Sequence, residues 1–178
     1  MGISDKRYNV YIDGVFDLFH RGHLEAINKA RTVRDNVYLM VGVISDNDAI
    51  GYKRKPIFHE DDRYSIINSI KGIDQVIFPA PLIVTPDFVK KHNIDIVLHG
   101  FSDINDYNKQ QEFYKNVSNV FEMIPYFPYT STTSYIEKIY SFFNDSNNNN
   151  DNDDNNNNNN NNNSNNIKNN NKNDLIEI

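Results

Sequence analysis

The 178-residue chain contains no cysteine and no tryptophan. Without cysteine there are no disulfides and no thiolate sites for catalysis or metal binding, which fits a reducing compartment. No apolar run approaches the roughly 20 residues needed to span a bilayer, and the N-terminal residues lack the apolar stretch of a signal peptide. The expected location is therefore cytoplasmic. Cationic patches are also scarce. The net charge is −6, and basic residues cluster only at Lys53-Arg54-Lys55, which argues against nonspecific nucleic-acid binding. From about Asn144 onward the sequence is almost entirely Asn and Asp. Such a segment cannot bury enough apolar surface to offset the entropy of ordering it, so residues 144–178 are expected to be a disordered tail on a single domain, residues 1–143.

Within that domain, strand and helix patterns alternate. Strands are expected at Tyr8–Ile12, Asn36–Ile44, Asp74–Phe78 (broken by Pro79-Ala80-Pro81), Ile94–His99 and Phe121–Pro125. Helices are expected from Gly22 to about Arg34, from Glu60, from Pro86 to about His92, over Phe113–Val117 and from Ser134 to about Phe143. Ile66, Ile67 and Ile70 share one face of the second, and Thr85-Pro86 is an N-cap followed by proline at the first helical position. Residues 45–59 read as a polar loop. This order predicts an α/β fold, a Rossmann-like parallel five-stranded sheet with helices on both faces. Ligands bind such sheets beyond the carboxyl ends of the strands. The polar segments Asp13–His23, Ser45–Lys55, His99–Asp103 and Thr130–Thr133 all fall there.

The segment Asp13-Gly-Val-Phe-Asp-Leu-Phe-His-Arg-Gly-His23 is the most informative. It places His20 and His23 three residues apart at a helix start, where backbone amides offer partial positive charge to a phosphate. Gly22 lets a phosphate approach the backbone. A capped helix with one packed and one solvated histidine is the alternative. Zinc is disfavoured, because cysteine is absent and the other histidines are not at ligand spacing. Lys53-Arg54-Lys55 either closes over a polyphosphate or is an ordinary basic loop. Capping explains one hydroxyl of Thr130-Ser-Thr-Thr133; four in a row point to an anion. His99-Gly100 either contacts a base or ribose or holds a packed side chain.

These residues resemble the cytidylyltransferases of the nucleotidyltransferase superfamily with the H-x-G-H signature, above all the choline-phosphate and ethanolamine-phosphate enzymes. Asp13–His23 is similar to their first motif almost in full. Tyr38–Asp46 resembles their second strand, and Lys53 lies ten positions before Arg63-Tyr64, where the family places its catalytic lysine. Ala80-Pro81, Thr85–Phe88 and Ile94–Gly100 extend the likeness over about residues 8–143. The resemblance implies that a substrate phosphate attacks the α-phosphorus of CTP, with Mg2+ accompanying the nucleotide, giving a CDP-alcohol and pyrophosphate. It implies His20, His23 and Lys53 as catalytic residues. It assigns Val15, Phe16, Asp17, Gly22, Lys55, His99, Gly100, Ser131, Thr132 and Thr133 to the nucleotide, and Asp13 and Lys53 to the second substrate. It also implies a homodimer.

The family's last motif, Arg-Thr-x-Gly-Ile-Ser-Thr-Ser/Thr, keeps Ser131-Thr-Thr133 here, but Tyr126 stands at the arginine position and Tyr129 at the glycine. A nucleotide-binding relative of low activity is therefore the alternative to a transferase. A quaternary ammonium is best held in an aromatic cage, with tryptophan the strongest face. Leu82 stands where the choline enzymes carry tryptophan. The expected substrate is accordingly phosphoethanolamine, with phosphocholine the near rival, and no membrane partner is expected because the Asn-rich tail has little apolar content.

Overall fold

Five stretches rich in β-branched and aromatic residues form the strands: β1 (Tyr8–Gly14), β2 (Val37–Ile44), β3 (Gln75–Ala80), β4 (Ile96–Phe101) and β5 (Phe121–Pro125). The computed structural model describes residues 6–52, 54–101, 104–125, 127 and 129–153, with 145–153 as backbone alone. The strands make one parallel sheet in the order β3-β2-β1-β4-β5, the Rossmann-like arrangement expected. Its strand order reverses between β1 and β4, the position where such sheets open a crevice. β1 pairs with β2 as far as Gly14↔Val43, but with β4 only from Val10↔Ile96 to Ile12↔Leu98. Asp13 and His99 lie just past that last pairing.

The core follows the period of two along each strand. Val10, Ile12, Leu39, Val41, Val43, Ile96 and Leu98 pack on one face with Ile27 and Ile67, while Tyr11, Met40 and Val97 pack on the other with Val84, Ile94 and Tyr114. Helix α1 (Arg21–Arg31) buries Ile27 and Ala30, carries Lys29 and Arg31 at its negative end, and is closed at Thr32. Helix α3 (Glu60–Asn68) begins with three acidic residues. Helix α4 (Pro86–Lys91) starts with the Thr85 side chain accepting from Phe88 N–H.

Several boundaries differ from the expectations. Residues 45–59 contain helix α2 (Asp46–Tyr52), whose first turn is closed by Ser45 Oγ accepting from Asp48 N–H at 3.1 Å. α1 stops three residues before Arg34. The helix expected over Phe113–Val117 is instead α5 (Ile104–Phe113) followed by a 3-10 turn, Lys115–Val117. β3 continues through Pro79 because it is an edge strand, where a missing N–H is tolerated. The last helix, α6, begins at Thr132 rather than Ser134 and runs to Asp153. Extending an existing helix avoids the cost of nucleation, so residues 144–153 of the expected tail are helical.

The chain divides into two units, up to Lys138 and from Ile139. The described part of the second is the remainder of α6, which exposes Ile139, Tyr140, Phe142 and Phe143.

Candidate functional site

The turn between β1 and α1 is built from backbone that side chains rarely adopt. Phe16 and Leu18 have φ of 55° and 45°, each costing on the order of 1–3 kcal/mol. Packing holds the turn. The buried Phe16 ring lies so close over Gly14 that a Cβ there would sit 3.1 Å from it, and it meets the His23 ring edge-on at a centroid distance of 5.4 Å. His20 is the N-cap of α1. Its Nδ1 accepts from Gly22 N–H at 3.0 Å, and His23 Nδ1 accepts from His20 N–H at 3.4 Å.

With Nδ1 an acceptor in both rings, Nε2 is the ring nitrogen that carries a proton in each. The rings stack 3.8 Å apart at 23°. Burial pushes the His20 pKa below 6.5, so near neutrality this histidine is an uncharged hydrogen-bond donor. The capped-helix arrangement is present, with His20 buried and His23 half-buried, and the same bonds that cap α1 fix both tautomers.

The hydroxyl segment closes over this turn. Thr130 Oγ1 also accepts from Gly22 N–H, at 3.1 Å, and Thr132 Oγ1 donates to the Asp17 carbonyl at 3.0 Å while lying 3.5 Å from His20 Nε2. Ser131 Oγ accepts from Ser134 N–H and so caps α6; Thr133 is exposed. Gly22 has no room for a side chain. An added Cβ would be 2.9 Å from His20 Cε1 and 3.1 Å from the Thr130 carbonyl oxygen.

Residues 54–58 contact the turn through Asp17. Lys53, Ser102, Asp103 and Tyr126 lie outside the described residues. Lys55 is exposed, whereas Arg54 Nη2 pairs with Asp17 Oδ2 at 3.1 Å. The Asp17 carboxylate also accepts from Ile57 and Phe58 N–H. The Val15 carbonyl accepts from Arg63, a fully buried residue.

Sequence reading missed the role of Arg63. Its guanidinium also donates to the carbonyls of Ile44 and Phe58 and to Asp46 Oδ1 at 2.6 Å. It thereby ties the ends of β1 and β2 to the starts of α2 and α3. Burial raises the Asp46 carboxyl pKa, but hydrogen bonds from Arg63 and from the Glu60 amide outweigh it and hold the pKa below 3.8. A signal was present: Arg63 and Ile67 fall at i and i+4, and they are the buried residues of α3.

At the β1/β4 reversal, the Asp13 side chain is buried and accepts from Tyr114 OH at 2.9 Å. His99 Nδ1 lies 3.1 Å from the same carboxylate oxygen and 2.9 Å from the Tyr114 oxygen. Gly100 follows within β4. Burial, then the charge and hydrogen bond of Asp13, push the Tyr114 phenol well above its ordinary pKa, so it stays a donor. Because Tyr114 OH donates to Asp13, the donor geometry puts a His99 proton on Nδ1. Tyr114, like Arg63, was not singled out by sequence, because its partners lie far along the chain.

The site therefore combines a stacked imidazole pair at a helix N-terminus, a hydroxyl cover, a basic loop and a buried carboxylate with histidine and tyrosine partners. Among the described residues no cluster of three His, Asp or Glu side chains offers a cation site, and the Asp17 carboxylate is fully engaged. A divalent ion fits this donor set only as part of a phosphate-bearing ligand.

Comparison with known proteins bears on the family and the fold. The chain is 43% identical over 96 residues to choline-phosphate cytidylyltransferase 2 of Arabidopsis thaliana, covering 54% of this chain and 32% of that one. It is 39% identical over 95 residues to choline-phosphate cytidylyltransferase A of Homo sapiens (53% and 26%). It is also 39% identical over 99 residues to ethanolamine-phosphate cytidylyltransferase of Arabidopsis thaliana (53% and 23%). The chain thus spans about a quarter to a third of the length of these curated relatives. A solved structure, the lipopolysaccharide core biosynthesis protein from Thermoplasma volcanium GSS1, superposes with a TM-score of 0.52 at 23% identity, covering 69% of this chain and 98% of that one, and supports the fold. Residues 11–141, from within β1 into α6, match the cytidylyltransferase-like family, and the chain belongs to it.

Proposed function

We propose that this chain is a cytidylyltransferase that joins CTP to a phospho-amino-alcohol, phosphoethanolamine in preference to phosphocholine. A phosphate oxygen of the alcohol attacks the α-phosphorus of CTP, the α–β phosphoanhydride bond breaks, and pyrophosphate leaves. The observation that carries this reading is the stacked imidazole pair, set at the N-terminus of α1 with Nδ1 of each ring accepting a backbone N–H. Such a pair, with the α1 amides, donates hydrogen bonds to triphosphate oxygens without reorganising as charge builds on the leaving group. Lys53 and Lys55 supply full positive charge from the basic loop. Magnesium arrives on the CTP phosphates, and no residue described here is assigned to hold it.

The relatives named above act on phosphocholine or phosphoethanolamine by their names. The preference for the primary amine rests on the absence of tryptophan and on the Asp13 carboxylate, a hydrogen-bond acceptor at the β1/β4 reversal beside His99 and Tyr114. We further propose that the protein works in the cytoplasm as a homodimer, in phospholipid biosynthesis. Among the described residues no helix is long and apolar enough to cross a membrane.

Purified protein incubated with CTP, magnesium and each phospho-alcohol should release pyrophosphate, fastest with phosphoethanolamine. His23→Ala should lower that rate about 100-fold or more while the circular dichroism spectrum persists. No turnover with any alcohol would overturn the transferase reading. Tyr126 at the motif arginine position favours a second reading, a nucleotide-binding relative. CTP binding by calorimetry without pyrophosphate release would identify it.

A further inference from the structure

For the basic loop and the histidine turn to act on one anion, something must hold them together, and Asp17 makes that connection. Its carboxylate is 5% exposed. It accepts from Ile57 N–H at 3.0 and 3.1 Å and from Phe58 N–H at 2.9 Å, and it pairs with Arg54 Nη2 at 3.1 Å. All of these donors belong to the segment of residues 54–58, which carries Lys55. The Asp17 carbonyl meanwhile accepts from Thr132 Oγ1. One residue thus joins the histidine turn to the basic loop through its side chain and to the hydroxyl segment through its backbone.

A carboxylate beside a triphosphate site would repel the nucleotide unless its charge were spent elsewhere. Here two amides and a guanidinium occupy both oxygens, leaving none for a ribose hydroxyl, a base or a cation. We propose that Asp17 is a positioning residue. It touches neither nucleotide nor alcohol, and acts by anchoring the C-terminal root of the basic loop so that its cations reach the phosphates held by His20 and His23. The kinetic part of this inference rests on the cytidylyl-transfer reading; the anchoring part does not.

Amide hydrogen exchange should be compared in wild type, Asp17→Ala and Asp17→Asn, alongside CTP titration and steady-state kinetics. In Asp17→Ala the Ile57 and Phe58 amides should exchange about tenfold faster or more, as expected for loss of a charged acceptor. The Gly22 and His23 amides should be unchanged. Asparagine keeps an acceptor for both amides but loses the ion pair, so Asp17→Asn should fall in between, with exchange about threefold faster. If wild type turns over, Asp17→Ala should lower kcat about tenfold with KM for CTP changed less than about threefold.

Unchanged exchange at Ile57 and Phe58 in folded Asp17→Ala would overturn the proposal. So would loss of CTP affinity with the loop still protected, since that would mark direct contact. Should the alanine variant fail to fold, unchanged exchange in Asp17→Asn would overturn it equally. Absence of wild-type turnover would refute the transferase reading while the exchange results still decided the anchoring.

Discussion

Replacing Gly22 with alanine sets three effects against one another, and their magnitudes decide the sign. Alanine gains about 1 kcal/mol over glycine within a helix. Against that, the new methyl would stand 2.9 Å from His20 Cε1, 3.0 Å from His20 Nδ1 and 3.1 Å from the Thr130 carbonyl oxygen. Two of these neighbours belong to one rigid ring and the third is backbone, so none is the free end of a flexible side chain. Either His20 swings away, giving up its bond to Gly22 N–H at about 1 kcal/mol, or the Thr130 segment shifts, an overpacking cost of about 1–3 kcal/mol.

With the helix-propensity gain of about 1 kcal/mol subtracted, the net expectation is a loss of about 0–2 kcal/mol, read as a lower urea midpoint at unchanged m-value. The consequence for CTP should be larger than for stability. The same displacement unstacks His20 from His23 and moves the Thr130 and Thr132 hydroxyls, so affinity by calorimetry should fall about tenfold or more. An alanine variant as stable as wild type, with wild-type CTP affinity, would refute the reasoning that the two histidines are held by close packing around Gly22.

Two further outcomes follow from the buried polar groups. Because burial lowers the His20 pKa, the folded protein binds fewer protons than the unfolded chain. The stability from neutral His20 is fully present above the unfolded value of 6.5 and lost as pH falls from there through the folded value. Urea unfolding between about pH 5 and 8 should show this slope, flattened in His20→Gln; equal slopes would contradict it. Arg63→Met should cost about 3–5 kcal/mol by leaving the Asp46 carboxylate and three carbonyls without their donor. Arg63→Lys should recover little, since an ammonium cannot reproduce the guanidinium fork; a near-wild-type denaturation midpoint in the lysine variant would show the fork to be dispensable.

The legible parts of this molecule are the local ones. His20, Gly22 and His23 can be read from spacing because their defining bonds run two or three residues along the chain. The sheet was legible for a similar reason, since each buried strand is a short continuous apolar run and the alternation with helices dictates parallel pairing. Helix α2 was missed although Ser45-Asp-Asn-Asp48 carries a capping pattern, because the basic residues after it dominated the reading of a loop. α5 was misplaced because its polar sequence, Ile104–Phe113, shows little apolar periodicity. Arg63 and Tyr114 stayed hidden for a different reason. Their meaning lies in Val15, 48 positions away, and in Asp13, 101 positions away, and no local pattern encodes such pairings.

The cover over the histidine turn has a consequence for the order in which the site comes into being. Thr130 reaches Gly22 across 108 positions of chain, and Thr132 reaches Asp17 across 115. Contacts of that span form late, since the loop between them must be closed by the intervening sheet before they are rewarded. A growing chain therefore carries the complete Asp13–His23 motif long before it carries a site. Until β5 has joined β4 and Thr132 has been made, the two histidines can cap their helix but have nothing above them. The motif marks where catalysis would happen, and the last segment of the domain to be synthesised decides when.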